Sequence, residues 1–309
     1  MVRQQSWQCT NMPETILHKV RRAVRHPKLI IVYVDKMLMH VYQFLFVRRR
    51  LYWFNRNLYR YALRGIGVWN VNNDKTSGEK YFLKEVVGRH AKMVQRPFVV
   101  LDVGANVGDY SQRVRQLIAN STVYAFEPNP ITFESLKLTA KEYGFSAVNC
   151  GCGEETGKMI LYDHLGTEGT VHASLFRDVI EGLYHTPAVE HEVQIVKLDS
   201  FVLEHGIERV HFLKIDTEGN EMAVLKGLEE TIRAGKVDFI QFEFNEMNIV
   251  SRTFFIDFYN YLSDYNLHRL LPDGMVSLRQ YSTDICEVFG FQNIAALRKD
   301  MSFGNDTDA

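Results

Sequence analysis

Cysteine is scarce in this chain: Cys9, Cys150, Cys152 and Cys286 are all that 309 residues hold. That is too few for a disulfide framework. Cys150 and Cys152 lie two apart, but no second Cys or His pair stands at ligand spacing, so buried thiols are expected there and no metal centre. A charged-then-apolar leader with a small-residue cleavage site is also missing, which points to the cytoplasm. No unbroken apolar run reaches membrane-spanning length. Leu29–Val47 is mostly apolar, but Asp35, Lys36, His40 and Gln43 interrupt it, and charges held at mid-bilayer are costly. Acidic residues are nearly absent from the front of the chain. Residues 1–66 carry thirteen Lys and Arg against Glu14 and Asp35, which leaves twenty-three basic and thirty-five acidic residues for the rest. A formal net charge of −1 therefore hides a basic front and an acidic body.

What is present is the composition of a folded globular protein, 46% hydrophobic and 12% aromatic. The length suits one large α/β domain behind an extension. Polar residues from Asn72 to Gly78 read as a linker, giving a basic helical extension over 1–70, a domain over 71–300 and a frayed tail over 301–309. Within the extension, Leu29–Val47 reads as a helix between basic clusters, Arg21, Arg22 and Arg25 before it and Arg48, Arg49 and Arg50 after. Leu51–Gly65 reads as a second, amphipathic helix. Such an extension can pack on its own domain, meet a protein partner, or lie peripherally on the anionic inner face of a membrane. Its aromatics recur at helical spacing without a nucleic-acid motif, so no nucleic-acid partner is expected.

The domain is organised around Val99–Ser111, VVLDVGANVGDYS. A near-continuous apolar run from Phe98 to Val103 reads as a central parallel strand covered on both faces. Gly104 frees the turn, Asn106 tolerates unusual backbone angles, and Gly108 lets the next helix begin close to the strand with its N–H groups facing a ligand. Asp102 stands at the carboxyl edge of the strand, where open α/β sheets place ligand contacts. The spacing is Gly-x-x-x-Gly, without the middle glycine of a dinucleotide fingerprint. The next strand, Thr122–Phe126, ends in Glu127, nineteen residues after Gly108. A carboxylate there can accept both ribose hydroxyls of an adenosine, whether that of NAD or of S-adenosylmethionine.

DVGANVGDYS, YAFEPNPITFESL (Tyr124–Leu136), VKLDSF (Val196–Phe201), FLKIDTEGNEMAVLKG (Phe212–Gly227) and FIQFEFN (Phe239–Asn245) follow one another as in the FkbM family of S-adenosylmethionine-dependent methyltransferases. The chain resembles that family from about Gly78 to about Leu297. The resemblance implies a Rossmann-like class I methyltransferase fold, with a seven-stranded, mostly parallel sheet covered by helices on both faces. It implies S-adenosylmethionine held by Asp102, Gly104, Ala105, Asn106, Gly108, Glu127 and Pro128, with Glu154 beside the adenine edge. It also places Thr170, His172 and Ser174 on the substrate side. The implied reaction is O-methylation of a hydroxyl on a small-molecule or glycan acceptor: a sugar, a polysaccharide precursor or a secondary metabolite.

Asp216 and Glu218 close the strand Val210–Ile215 around Gly219, and Glu243 closes Val237–Phe242. Carboxylates at that edge suit a general base for an acceptor hydroxyl or a partner for an ammonium. They could also hold Mg²⁺, cap helix N-termini, or pair with Lys214 or Lys226. Helices are expected over Tyr81–His90, Asp109–Ala119, Ile131–Glu142, from Asp199, over Glu221–Arg233 and over Phe254–Tyr265. Further strands are expected at Ala147–Gly151, Lys158–Tyr162 and Val193–Val196, and an antiparallel edge from His268–Leu271, Glu287–Phe291 and Ile294–Leu297. Two other functions remain open from sequence. One is a nicotinamide-dependent sugar-modifying enzyme, which lacks support from a Tyr-x-x-x-Lys pair; the other is a non-catalytic binding module on the same fold.

Overall fold

Alternate residues of strand β1 (Phe98–Val103) serve two separate cores. Phe98 and Val100 pack with Phe82, Val114 and Phe212 on one face of a sheet; Leu101 and Val103 pack with Phe126, Leu225 and Phe258 on the other. The computed structural model describes residues 27–70, 76–166, 169 and 173–301. Arg21, Arg22, Arg25, Cys9, Thr170, His172 and the tail from residue 302 lie outside the described residues. Two compact units divide the chain, Met1–Ala62 and Leu63–Ala309.

The first unit holds helix α1 (Pro27–Phe46) and most of α2 (Tyr52–Gly65). Phe46 stacks on Phe54 with ring centres 5.8 Å apart, and the Tyr42 hydroxyl donates to Asn55 Oδ1 at 2.5 Å. Among the described residues no helix is long and apolar enough to cross a membrane.

The second unit opens with α3, a continuous helical segment through Glu79–Tyr81, Phe82–Val87 and Gly88–Ala91 whose middle is a π-turn. After β1 come α4 (Asp109–Leu117), β2 (Ser121–Phe126), α5 (Pro130–Tyr143), β3 (Ser146–Val148), β4 (Gly151–Cys152), β5 (Gly157–His164) and β6 (Ala188–Val196). Then follow α6 (Leu198–Glu204), β7 (Val210–Ile215), α7 (Glu221–Gly227), α8 (Glu229–Arg233), β8 (Val237–Phe244) and α9 (Phe255–Tyr261). Strands β9 (Tyr265–Leu271), β10 (Gly274–Ser277) and β11 (Gln292–Arg298) end it.

The main sheet runs β10-β9-β11-β8-β7-β1-β2-β3, parallel from β8 to β3 and antiparallel at β11, β9 and β10. The expected Rossmann-like α/β architecture is there, with an antiparallel edge and eight strands in place of seven. The eighth, β10, is a hairpin extension turned by Pro272-Asp273-Gly274, a turn signal that the sequence reading passed over. Strands β4, β6 and β5 form a separate sheet. The expected strand Ala147–Gly151 is therefore two strands in different sheets. Between them Asn149 donates from Nδ2 to the Glu127 carbonyl at 2.9 Å.

Three other expectations need correcting. Glu287–Phe291 is a loop: the Glu287 carboxylate accepts from Phe255 N–H and Ile256 N–H, capping α9 across 31 to 32 residues of sequence. Asp199 lies inside α6 and caps α8, accepting from Glu230 N–H and Thr231 N–H. The helix expected over Glu221–Arg233 breaks at Leu228, whose φ of −112° is non-helical. Long-range caps of this kind have no local spacing by which to be read.

Gly104 fixes how closely β1 and β7 can end beside each other. Its φ is +78°, and a Cβ there would stand 1.7 Å from the Asp216 carbonyl oxygen. Gly104→Ala is expected to destabilise the second unit by about 3 kcal/mol or more, from left-handed strain plus displaced backbone. A urea midpoint equal to wild type would contradict that packing.

Candidate functional site

The carboxyl ends of β1, β2 and β7 border a cleft of about 270 Å³, at the edge where open α/β sheets bind ligands. Its cofactor side is the turn after β1. Gly104 N–H and Ala105 N–H both donate to the Phe126 carbonyl, at 3.0 and 2.9 Å. Asn106, held at φ +49°, donates its N–H to Glu127 Oε2 at 2.9 Å, and its own Oδ1 accepts from Val107 N–H at 2.8 Å. Gly108 N–H closes the turn on the Ala105 carbonyl at 2.8 Å. Every amide from 104 to 108 is therefore used within the protein. Glu127 itself occupies the position of an anion at the turn, and the amides expected to face a ligand, those of the first turn of α4, lie beyond it.

Glu127 is buried, and its other oxygen accepts from Asn129 N–H at 2.8 Å. Burial raises its carboxyl to about 7, with Asp163 and Asp216 adding to the rise and the two N–H donors opposing it. Asp102 is also buried. It accepts from the Ser111 hydroxyl at 2.6 Å, and burial raises its carboxyl above the usual range. Pro128, Gly151, Cys152, Leu161, Leu175 and Ile195 give this side of the cleft an apolar wall.

The other side is charged. Asp216 is 34% exposed in the cleft and pairs at 3.0 Å with Lys214, which is 4% exposed. Lys214 stands inside the fully buried strand β7, beside Asp102 across the sheet, and its ammonium lies 5.3 Å from the Tyr110 ring centre. Burial works against its charge, but Asp216, Glu79, Glu243 and Asp102 outweigh that and hold the ammonium above its ordinary value. A polar chain braces it: the Tyr110 hydroxyl donates to Gln241 Oε1 at 2.8 Å, and Gln241 Nε2 donates to Glu79 at 2.9 Å and Asn293 at 3.0 Å. Hydrogen bonding among these members makes such a network tolerable inside a sheet, while the buried Asn293 Nδ2 is left without a partner.

The turn after β7 is built by Glu221. Its Oε1 accepts from Thr217 N–H, the Thr217 hydroxyl and Gly219 N–H, each at 3.0 or 3.1 Å. That holds Glu218 in the left-handed region at φ +51°, while the Ser174 hydroxyl donates to its carbonyl at 2.8 Å. Glu243 is buried behind the cleft, and burial, reinforced by Asp216, pushes its carboxyl well above the usual range. Among the described residues, no three His, Cys, Asp or Glu side chains are grouped so as to hold a metal ion.

Of the residues singled out in the sequence, Asp102, Gly104, Ala105, Asn106, Glu127, Pro128, Asp216 and Glu218 all line this cleft. Gly108 does not; a Cβ there would meet Leu136 at 2.9 Å, so it serves the packing of α4 on α5. Glu243 is outside the lining as well. Glu154 is outside the lining too: it is 54% exposed and pairs with Lys226 at 3.1 Å. Its neighbour Glu155 is exposed too. Sequence reading missed Glu79, Asp109, Tyr110, Arg113 and Thr217 as lining residues and Glu221 as the turn's anchor. It named Lys214 only as a possible ion-pair partner, although a lysine between Phe212-Leu213 and Ile215 breaks a buried run and marks the strand as unusual.

Known proteins are similar to this chain in sequence. A 145-residue stretch is 30% identical to "Methyltransferase 1" of Beauveria bassiana, covering 42% of this chain and 58% of that protein. A 165-residue stretch is 29% identical to the "31-O-demethyl-FK506 methyltransferase FkbM" of Streptomyces tacrolimicus, covering 46% of this chain and 64% of the relative. The chain thus spans less than two thirds of either relative's length. A solved S-adenosylmethionine-dependent methyltransferase of Agrobacterium tumefaciens superposes with a TM-score of 0.39 at 9% identity, over 71% of this chain and 62% of that one. The sequence description of the methyltransferase FkbM domain matches residues 102–267, from the cleft's Asp102 through β9. That is more than half of the chain, and with Glu127, Asp216 and Glu218 gathered on one cleft inside the matched span, the protein belongs to the FkbM methyltransferase family.

Proposed function

We propose that the cleft binds S-adenosylmethionine and that the protein methylates a hydroxyl of a sugar, polysaccharide precursor or secondary metabolite. The observation that carries this reading is the charge and hydrogen-bond state of the turn. All five amides of Gly104–Gly108 already have acceptors, and Glu79, Asp102, Asp109, Glu127, Asp216 and Glu218 line the cleft against Lys214 and Arg113. A pyrophosphate on this turn would find those five N–H groups taken and would face carboxylates. A ligand bearing a sulfonium and an ammonium suits such a cleft, which favours the methyl donor over NAD. The name of one relative, a 31-O-demethyl-FK506 methyltransferase, supports an oxygen acceptor.

Bound there, S-adenosylmethionine supplies an electrophilic methyl group that an acceptor oxygen takes by in-line displacement, the bonding pair leaving with sulfur. The chain's own task is alignment, exclusion of water and removal of one proton. Glu127 accepts from the ribose hydroxyls. The apolar wall of Leu161, Leu175 and Ile195 takes the adenine. Asp216, exposed to the cleft and anchored by Lys214, orients the acceptor hydroxyl and receives its proton.

A thermal-shift panel tests the donor reading. S-adenosylmethionine and its demethylated product at about a hundredfold excess over Kd are expected to raise Tm by roughly 5 °C or more. A shift with NAD and none with the other two would overturn it.

A further inference from the structure

Independently of the reaction, the structure points to a second binding surface. We propose that the α1–α2 unit is an interfacial docking surface for an anionic lipid bilayer. At 3.6 residues per turn, Val34, Met37, Leu38, Val41, Phe44 and Leu45 fall on one side of α1, and all are exposed. The adjoining side is already satisfied: Tyr42 and Phe46 are turned to α2 through the Asn55 hydrogen bond and the Phe54 stack. Helix pairing has therefore used one face and left the larger apolar face open. Phe44 is 72% exposed, and Trp53 at the start of α2 is 69% exposed. Contiguous exposure of this size marks an interaction site.

Charge names the partner. From Lys36 to Ala62 the sequence holds Lys36, Arg48, Arg49, Arg50, Arg56 and Arg60 and no carboxylate, and the one acidic residue of α1 and α2 is Asp35, next to Lys36. The five arginines are exposed. Arg48 lies over the Phe44 ring, 5.6 Å from its centre, so cation and apolar face share one surface. Tyr52, Trp53, Tyr59 and Tyr61 are exposed beside them. An apolar helix face rimmed by arginines and amphipathic aromatics is what lies in the interface plane of a bilayer, with rings at headgroup depth and guanidinium groups on lipid phosphates. A protein partner or a second copy of this chain would have to bring its own carboxylates to six cations. No matching acidic stripe lies on these helices, so they do not pair with their own copies, and the apolar face between the arginines favours a bilayer over the acidic body of a second copy.

The test uses the full chain and sedimentation with vesicles, either phosphatidylcholine alone or phosphatidylcholine mixed with phosphatidylglycerol. Partition onto the anionic vesicles is expected to exceed that onto neutral ones by roughly tenfold or more and to weaken with salt. The double variant Arg56→Gln/Arg60→Gln should lose roughly tenfold in partition. Phe44→Ser/Leu45→Ser should lose a similar factor while unfolding at the wild-type temperature, since both side chains are exposed. Equal binding to both vesicle types, or none to either, overturns the proposal. So does self-association abolished by Phe44→Ser/Leu45→Ser in protein that ignores vesicles, or binding to RNA that leaves vesicles untouched.

Discussion

Replacing Asp216 by Asn is expected to lower turnover by about 10² to 10⁴ while leaving donor affinity nearly unchanged. The reason is its placement. Asp216 reaches the cleft from the end of β7, and Lys214 at 3.0 Å fixes its carboxylate from the buried side. Asn keeps the shape and one acceptor for Lys214 but cannot take a proton. Glu243, another carboxyl at this end, is buried and lies outside the cleft lining, so it is the weaker candidate for base. Steady-state kinetics with a defined acceptor, alongside calorimetric titration of donor, separates the roles. A loss of donor binding as large as the loss of turnover would make Asp216 a donor ligand. Wild-type turnover would reduce it to the ion-pair partner of Lys214. Activity that falls with chelator and returns with Mg²⁺ would replace the proton-acceptor role by a metal-binding one.

The second large effect is expected at Glu127. Glu127→Gln should weaken binding of S-adenosylmethionine by roughly ten- to a hundredfold, the worth of a charge-assisted contact of about 1.5–3 kcal/mol. The same residue sets a pH dependence. Burial raises its carboxyl from 4.5 to about 7, so wild-type affinity should fall as pH drops below about 7, by roughly tenfold per unit. Stability moves the opposite way. A folded value above the unfolded one means that Glu127 contributes fully below pH 4.5 and that this contribution is lost as pH rises through about 7. Gln mimics the protonated acid. The variant should therefore match wild type near pH 4 and exceed it by up to about 3 kcal/mol near pH 8. Donor affinity that stays flat across that range in wild type would remove Glu127 from the site.

These two residues also show how much of the site was legible beforehand. Asp102, Gly104 and Glu127 were found because a strand-turn-helix unit writes its ligand contacts within a few residues, and the second strand's end follows at a fixed distance. Asp216 and Glu218 were found the same way. Glu79 and Gln241 were not, because 162 residues separate partners that meet only once β8 has entered the sheet. Glu154 lies outside the lining although Gly151 and Cys152 just before it belong to it, because its side chain pairs with Lys226. Central strands were predicted almost to the residue because both faces are buried and apolar residues dominate them, with single polar interruptions such as Lys214 and Gln241. Of the antiparallel edge, His268–Leu271 and Ile294–Leu297 fall within β9 and β11 as expected, whereas Glu287–Phe291 does not form a strand because Glu287 caps α9.

The role of the turn after β1 is tested most directly by a crystal structure with S-adenosylhomocysteine. The account predicts the nucleoside in the cleft of β1, β2 and β7, with the ribose hydroxyls on Glu127, the adenine against Leu161 and Ile195, and the sulfur on the side of Asp216. A nucleoside bound anywhere else, or one whose ribose leaves Glu127 bonded only to Asn106 and Asn129, would contradict it.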